Sequence, residues 1–356
     1  SGYGSSFYGA EAYGVERQQL SAVVPATTWA LDSFGQNLVA CSSKDGKVYE
    51  WTLNTSTLPT AITNAPVNNR SILVTEERFL MCLGAGGNPR LVQWSDRENN
   101  TVWTPLATNE AGSLELQTNG VIECGVRVQN QALILTNIDA HVATYSGPPY
   151  VYGIERVGTA CGIVSNNAIG VVDKGAMWMG NRSFFYYSGG TVAEVDCEVA
   201  DYVFSDINHG QISKVAAVTN ANFGEVWWFY PSSSSNENNR YVSYNYLNNT
   251  WAIGQISRTA GIDAGIFAHP IIASAVNKKL YEHEVGFNYD GVEPFAESGP
   301  IIIGNGDNVM AVTQMIPDER TQGDVDATFK TRFYPNDLER SYGPFSMANP
   351  TSMRFT

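Results

Sequence analysis

The stretch WALDSFGQNLVACSSKDGKVYEW, residues 29–51, holds three short apolar runs separated by turns. The runs are Trp29–Leu31, Leu38–Cys41 and Val48–Trp51, and Lys44-Asp45-Gly46 supplies the strongest short hairpin signal between the last two. The same phrase, an apolar run, a turn and a strand-like run closing on an aromatic or His, recurs along the chain. Later copies close on Trp94, Tyr145, Tyr187, Tyr246 and His283. From Trp29 to Val285 the copies average about 43 residues, the repeat length of a propeller blade. One blade cannot bury both its faces, so the copies are expected to stack radially into a six-bladed β-propeller.

Composition agrees with an all-β protein. Charged residues make up 16% of the 356, while Gly numbers 33, Tyr 18 and Trp 8. Such a mixture suits many short strands joined by tight turns. The expected runs of the second blade are 72–75, 79–83, 91–95 and 102–106. For the third they are 126–128, 132–135, 142–145 and 151–154. The fourth blade reads as 168–172, 176–179, 184–187 and 192–195, and the fifth as 215–219, 226–230, 241–246 and 251–253. The sixth offers 264–267, 271–276 and 280–283, so it must borrow a strand, from Leu20–Val24 or Ile301–Ile303. Ser188-Gly189-Gly190 and Asn222-Phe223-Gly224 read as turns within blades four and five. Ser232–Asn239 has no apolar residue and reads as an exposed, mobile loop.

Three regions follow: a Tyr/Gly-rich arm and leading strand over 1–28, the propeller over 29–288, and part of a small β-sandwich-like domain over 289–356. The arm repeats Tyr-Gly at Tyr3, Tyr8 and Tyr13. It reads either as a linker whose rings pack locally or as an arm docking on a neighbouring subunit. Beyond the propeller, Ile301–Ile303, Ala311–Met315 and Ala327–Tyr334 keep strand character, with acidic turns at Asp318-Glu319-Arg320 and Asp324–Asp326. The sequence starts without Met and stops in a strand-like run, as a piece of a longer polypeptide would.

Charge and motifs narrow the function. A net charge of -14 argues against a basic nucleic-acid groove, and the longest basic run is Lys278-Lys279. Five cysteines, Cys41, Cys82, Cys124, Cys161 and Cys197, include no CxxC pair. Cys41 and Cys82 fall at equivalent repeat positions, which reads as buried free thiols of a chain made in a reducing cytoplasm. Five Asn-x-Ser/Thr sequons (Asn54, Asn69, Asn99, Asn181, Asn248) are what an Asn-rich chain produces by chance, and neither a signal peptide nor a membrane-spanning run is found.

Motifs of hydrolases, P-loops, zinc proteases and EF-hands are missing. Gly84-Ala85-Gly86-Gly87 lacks dinucleotide-binding spacing and reads as a turn. His141, His209, His269 and His283 are scattered, with no metal-ligand spacing. On a strand, Glu282-His283-Glu284 turns its carboxylates one way and the imidazole the other. Ser43–Lys47 resembles the aspartate box of sialidase propellers, but Gly46 follows Asp45 directly and Trp51 is displaced. A Gly-His start and Trp-Asp ending of WD repeats are also lacking. Glu123, Asp173, Glu225 and Glu282 are the acids closest to repeat strands; carboxylates for glycoside hydrolysis could converge from different blades, while the simpler reading is strand-end and turn acids. No catalytic, cofactor-binding or metal-binding residue is assigned, and the chain reads as a non-enzyme.

Several phrases resemble one family. They are Tyr152–Gly158 (YGIERVG), Val172–Met179 (VDKGAMWM), Phe184–Tyr187 (FFYY), and Asn239–Tyr246 (NRYVSYNY) followed by Asn249-Thr250-Trp251. With the Tyr-Gly opening and the terminal Thr351–Thr356, they resemble the propeller-bearing nozzle or hub proteins of short-tailed, podovirus-like phages, the packaged-DNA stabilisation family. That family's N-terminal β domain and complete C-terminal one are missing here. The resemblance implies a virion structural protein in the tail, made in the host cytoplasm. It further implies a homo-oligomer, typically a hexamer, that contacts adaptor and portal proteins and tail fibres or spikes. Genomic DNA would pass along its axial channel without specific binding, and no membrane insertion is implied. The acidic charge suits such a conduit. The alternative function is a carbohydrate-binding or glycan-cleaving, sialidase-like propeller.

Overall fold

Strands dominate because β-branched and aromatic residues are packed into short runs, two to nine residues long as strands, between turn formers. The computed structural model describes residues 26–286, 293–301, 309–315, 325–334, 336–347 and 353–354. Five sheets have four antiparallel strands each and a sixth has three. The first contains β1 (Trp29–Phe34), β2 (Asn37–Ser42), β3 (Val48–Trp51) and β4 (Thr60–Ala61). The second contains β5 (Ser71–Val74), β6 (Leu80–Leu83), β7 (Leu91–Trp94) and β8 (Gly112–Glu115). The third is built of β9 (Ile122–Val128), β10 (Gln131–Thr136), β11 (Asp139–Gly147) and β12 (Val151–Thr159). Next come β13 (Ile169–Val172), β14 (Gly175–Met179), β15 (Phe184–Tyr187) and β16 (Val192–Val195). The fifth sheet holds β17 (Ala216–Asn220), β18 (Glu225–Tyr230), β19 (Arg240–Asn245) and β20 (Thr250–Gly254). The sixth has β21 (Ala260–Ile262), β22 (Ile271–Ser274) and β23 (Lys279–Glu282).

The six sheets are the blades of a β-propeller. First strands of successive blades meet in the order β1, β5, β9, β13, β17, β21, which puts them around the axis. Every closing residue of the sequence phrase falls on, or directly after, the third strand of its blade. Second strands are the most buried: LMCL of β6 and GAMWM of β14 are buried at every residue. Blades cover them on both faces, so a continuous apolar run replaces the alternation of a one-sided sheet. One hydrophobic cluster spans blades three to five around Trp178, Phe184 and Trp228. Two others fill the seams between blades two and three and between one and two. Each of the four buried indoles there also satisfies its N–H: Trp178 donates to Cys161 O, Trp228 to Ala168 O, Trp94 to Glu110 O and Trp103 to Asn100 O.

The Asp45-Gly46 turn shows why glycine is needed there. Gly46 has φ +62°, and a Cβ on it would lie 2.5 Å from Asn68 Cα. This close approach lets Gly46 O accept from both Asn69 N and Asn69 Nδ2 at 2.9 Å, tying blade one to the chain entering blade two.

Several expectations need correction. The fourth strand of blade two is β8, not 102–106. Trp103 in that stretch is instead buried, its Nε1 donating to Asn100 O, and it fills the blade one–two seam. The first strand of blade six is β21, not 264–267, where Ile266 is almost wholly exposed in a turn. The Ser232–Asn239 loop is pinned: Ser232 and Asn238 are buried. Asn238 Nδ2 donates to Lys214 O, Asn208 Nδ2 donates to Ser235 O, and Lys214 pairs with Glu237. The segment that receives this loop contains a short helix, α1 (Ala200–Asp206), and a 3-10 turn at 209–214, neither expected from the sequence. Gly84–Gly87 is a 3-10 turn between β6 and β7.

The arm with Tyr3, Tyr8 and Tyr13, the Leu20–Val24 strand and the Asp318–Arg320 turn lie outside the described residues, as do Ile302 and Ile303. Ile301 is not in a strand. The chain divides at Val292/Glu293 into two compact units. Unit two contains a pair β24 (Gln314–Met315) with β27 (Met353–Arg354) and a hairpin of β25 (Asp326–Thr331) with β26 (Arg340–Ser346).

Candidate functional site

Three places could carry function: the propeller axis, the seams between blades, and the second unit. Side chains bridge the axis. Asp32 on β1 accepts from Val74 N at 2.7 Å and pairs at 3.3 Å with Arg127 on β9, two blades away. Asn166 Nδ2, before blade four, donates to Thr28 Oγ1, before blade one, at 2.9 Å.

A cleft of ≈ 570 Å³ opens between blades three and four. Blade three contributes the two-residue β9–β10 turn, Gln129 and Asn130, and side chains of β10, β11 and β12; blade four contributes Tyr187 and the Gly189-Gly190 turn. Tyr187 Oη donates to Gln131 Oε1 at 2.9 Å, and Gln131 Nε2 donates to Thr144 Oγ1 at 3.2 Å. Gln129 sits at φ +55°, where glycine would be unstrained, and its Nε2 reaches Lys174 O at 3.4 Å. Glu155 is the charged side chain of the lining. Amides, hydroxyls and one carboxylate make a surface suited to neutral, hydroxyl-rich ligands and ill suited to anions.

The acids singled out by sequence stand in different blades. Glu123 on β9 pairs with Arg70 at 2.8 Å; burial raises its pKa against the opposing pull of Arg70. Asp173 is exposed in the β13–β14 turn, and Glu282 is exposed at the end of β23. Glu225 accepts from Trp227 Nε1 at 2.8 Å. Asp45 of the aspartate-box-like turn accepts from Tyr49 Oη at 2.6 Å and Lys47 N at 3.2 Å, so it braces its own hairpin. The Tyr49 hydroxyl bond holds its carboxyl below the usual range.

His141 and Asp139 form a buried polar knot that sequence reasoning missed. Asp139 accepts from Thr136 Oγ1 at 2.5 Å and Thr118 Oγ1 at 2.7 Å. Burial works to raise its pKa, and these hydroxyl bonds outweigh it and hold the carboxyl low. His141 Nε2 lies 3.2 Å from Asp139 Oδ1 but without the alignment of a hydrogen bond. Burial lowers its pKa against the pull of Asp139. His283 Nε2 accepts from Arg258 Nε at 2.8 Å, and the Arg258 guanidinium stacks 4.1 Å over Tyr281. Among the described residues no three His, Cys, Asp or Glu side chains converge as a metal cluster. The five cysteines are all free; Cys197 is half-buried and the rest are buried.

No protein-family model and no curated protein matches the chain. Solved structures with a similar chain trace include a streptogramin B lyase (8% identity, 76% of this chain and 86% of that one, TM-score 0.44). Hsv2 of Kluyvelomyces marxianus matches at 5% identity over 71% of this chain and 74% of that one, TM-score 0.41. The dihydro-heme d1 dehydrogenase NirN in complex with DHE matches at 11% identity over 71% and 54%, TM-score 0.44. At these identities the likeness concerns fold alone.

Proposed function

We propose that the chain is a structural virion protein, part of the nozzle or hub of a short phage tail, in which a ring of copies retains and conducts the genome. The observation that carries this reading, beside the strand motifs of the resemblance, is the second unit. Phe295, Ile301, Val309, Phe333, Tyr334 and Leu338 are each more than half exposed, while Met347 is the buried hydrophobic residue among those described there. Isolated two-stranded pieces are marginal in water, and so much apolar surface calls for neighbouring subunits to cover it. A net charge of -14 lets DNA slide past without adhering. In this reading the homo-oligomer, a hexamer, joins adaptor and portal on one side and carries fibres or spikes. The propeller braces the assembly from outside, and DNA passes through the oligomer's own axis. Light scattering coupled to size exclusion tests the ring: a mass of six chains supports it, and a monomer at micromolar concentration rejects it.

The polar cleft between blades three and four favours a second reading, a carbohydrate-binding propeller. Glycan-array binding that disappears in Asn130→Ala and Glu155→Ala variants would support it; an array blank for the folded chain would remove it.

A further inference from the structure

The polar cleft between blades three and four contains one carboxylate that the fold leaves uncompensated. Glu155 is exposed on β12, the outer strand of blade three. Val142 stands directly opposite it in the β11–β12 register, and Gly153 and Val157 flank it on the same face of β12. None of these three can donate from a side chain. Arg156, the next residue, projects to the other face by strand alternation. No other charged side chain lines the cleft, and among the described residues Glu155 has no hydrogen bond or ion pair.

The rest of the lining is neutral and able to exchange hydrogen bonds. Thr144 Oγ1 accepts from Gln131 Nε2, which leaves its own O–H to donate. Gln129 Nε2 donates to Lys174 O, which leaves Gln129 Oε1 to accept. Asn130 supplies both kinds of group. Blade four adds the Gly189-Gly190 turn; a Cβ on Gly190 would meet nothing within 4 Å, so a ligand can approach bare backbone there. Tyr187 is 1% exposed and offers no ring face for stacking. Recognition therefore falls on the amides, the Thr144 hydroxyl and the Glu155 carboxylate. At ≈ 570 Å³ the cleft lies within the about 300–1,000 Å³ of small-molecule sites.

We propose that this cleft selects an amino sugar: ring hydroxyls exchange hydrogen bonds with Thr144, Gln129 and Asn130, and a protonated amine pairs with Glu155. The inference rests on the carbohydrate-binding reading above and adds the charge of the ligand. A charge-assisted hydrogen bond is roughly twice as strong as a neutral one, and acetylating the amine removes it. The net charge of -14 also draws cations toward the chain. Because Glu155 is exposed, the selectivity is modest, about five- to tenfold in Kd.

Isothermal titration calorimetry of the full chain at about pH 6, where amines carry their proton, tests this. The probes are the glucosamine tetramer from chitosan and the N-acetylated tetramer from chitin. The parent should bind the amino tetramer about five- to tenfold more tightly. Glu155→Gln keeps the side-chain shape and should weaken binding of the amino tetramer alone, so that the two bind equally. Equal binding by the parent, or a preference that survives in Glu155→Gln, overturns the inference and leaves the carbohydrate-binding reading standing. Tetralysine binding the parent as tightly as the amino tetramer also overturns it, because charge alone would then suffice. Binding of neither tetramer removes the inference and the carbohydrate-binding reading together.

Discussion

Replacing Trp228 with alanine tests how the blades are held together. The indole is fully buried on β18; its ring lies 4.8 Å from Phe184 and 6.2 Å from Trp251. Removing it forfeits transfer free energy and leaves a cavity between blades four and five, together about 3–5 kcal/mol. Nε1 also donates to Ala168 O at 3.0 Å, but that carbonyl keeps a second donor, Met179 N at 3.1 Å. No acceptor is orphaned, so the lost bond adds only about 1 kcal/mol. The expected total is about 4–6 kcal/mol. Trp228→Phe keeps most of the packing and should cost about 1–2 kcal/mol. Urea unfolding followed by far-UV circular dichroism measures both without relying on the removed fluorophore, and the m-value should not change. A Trp228→Ala protein within about 0.5 kcal/mol of the parent, the range of an ordinary surface substitution, would refute the seam packing described above.

Other outcomes follow from single sites. Burial pushes the Cys41 thiol up to about 12, with Asp45 adding to it, and burial pushes Cys161 and Cys197 to about 11. Alkylation at pH 8 should therefore be slow in the native chain, with half-buried Cys197 reacting first, and complete denaturation should yield five modified thiols; a disulfide found by mass spectrometry would contradict this. A Cβ on Gly162 would lie 2.0 Å from Asn137 O, so Gly162→Ala should cost about 2–3 kcal/mol, and a neutral effect in the same urea assay would count against the β10–β11 turn geometry. His141 has a lowered pKa when folded, so the unfolded chain binds the extra proton: stability is complete at high pH and falls as pH drops below about 6.5. His141→Gln should flatten that slope; an unchanged slope would assign it to other groups. Asp139, also held low, adds a loss in the same direction only in the acid range below about 3.9.

The blades were legible because each third strand carries, or is directly followed by, an aromatic residue or His, and second strands such as GAMWM of β14 are apolar throughout. Strands without such residues were not: GSLE of β8 and AGI of β21 carry little apolar signal beside the louder 102–106 and 264–267. The pinning of 232–239 rests on Asn238 and Asn208 amides reaching backbone carbonyls more than twenty residues away, which no local pattern encodes. Helix α1, at seven residues, is too short to display a period. The inter-blade cleft joins Gln131 to Tyr187, 56 residues apart, and the blade five–six seam joins Asn220 to Glu284, 64 apart. Glu225 near the seam stands out in the sequence, but so does Glu282, whereas it is Glu284 that reaches Asn220.

Cryo-electron microscopy of the assembled particle tests the proposed role most directly. A cyclic ring of six copies is expected, with the genome density along the oligomer's own axis and not through the propellers. A lone spike, or a propeller that itself lines the genome channel, would contradict it.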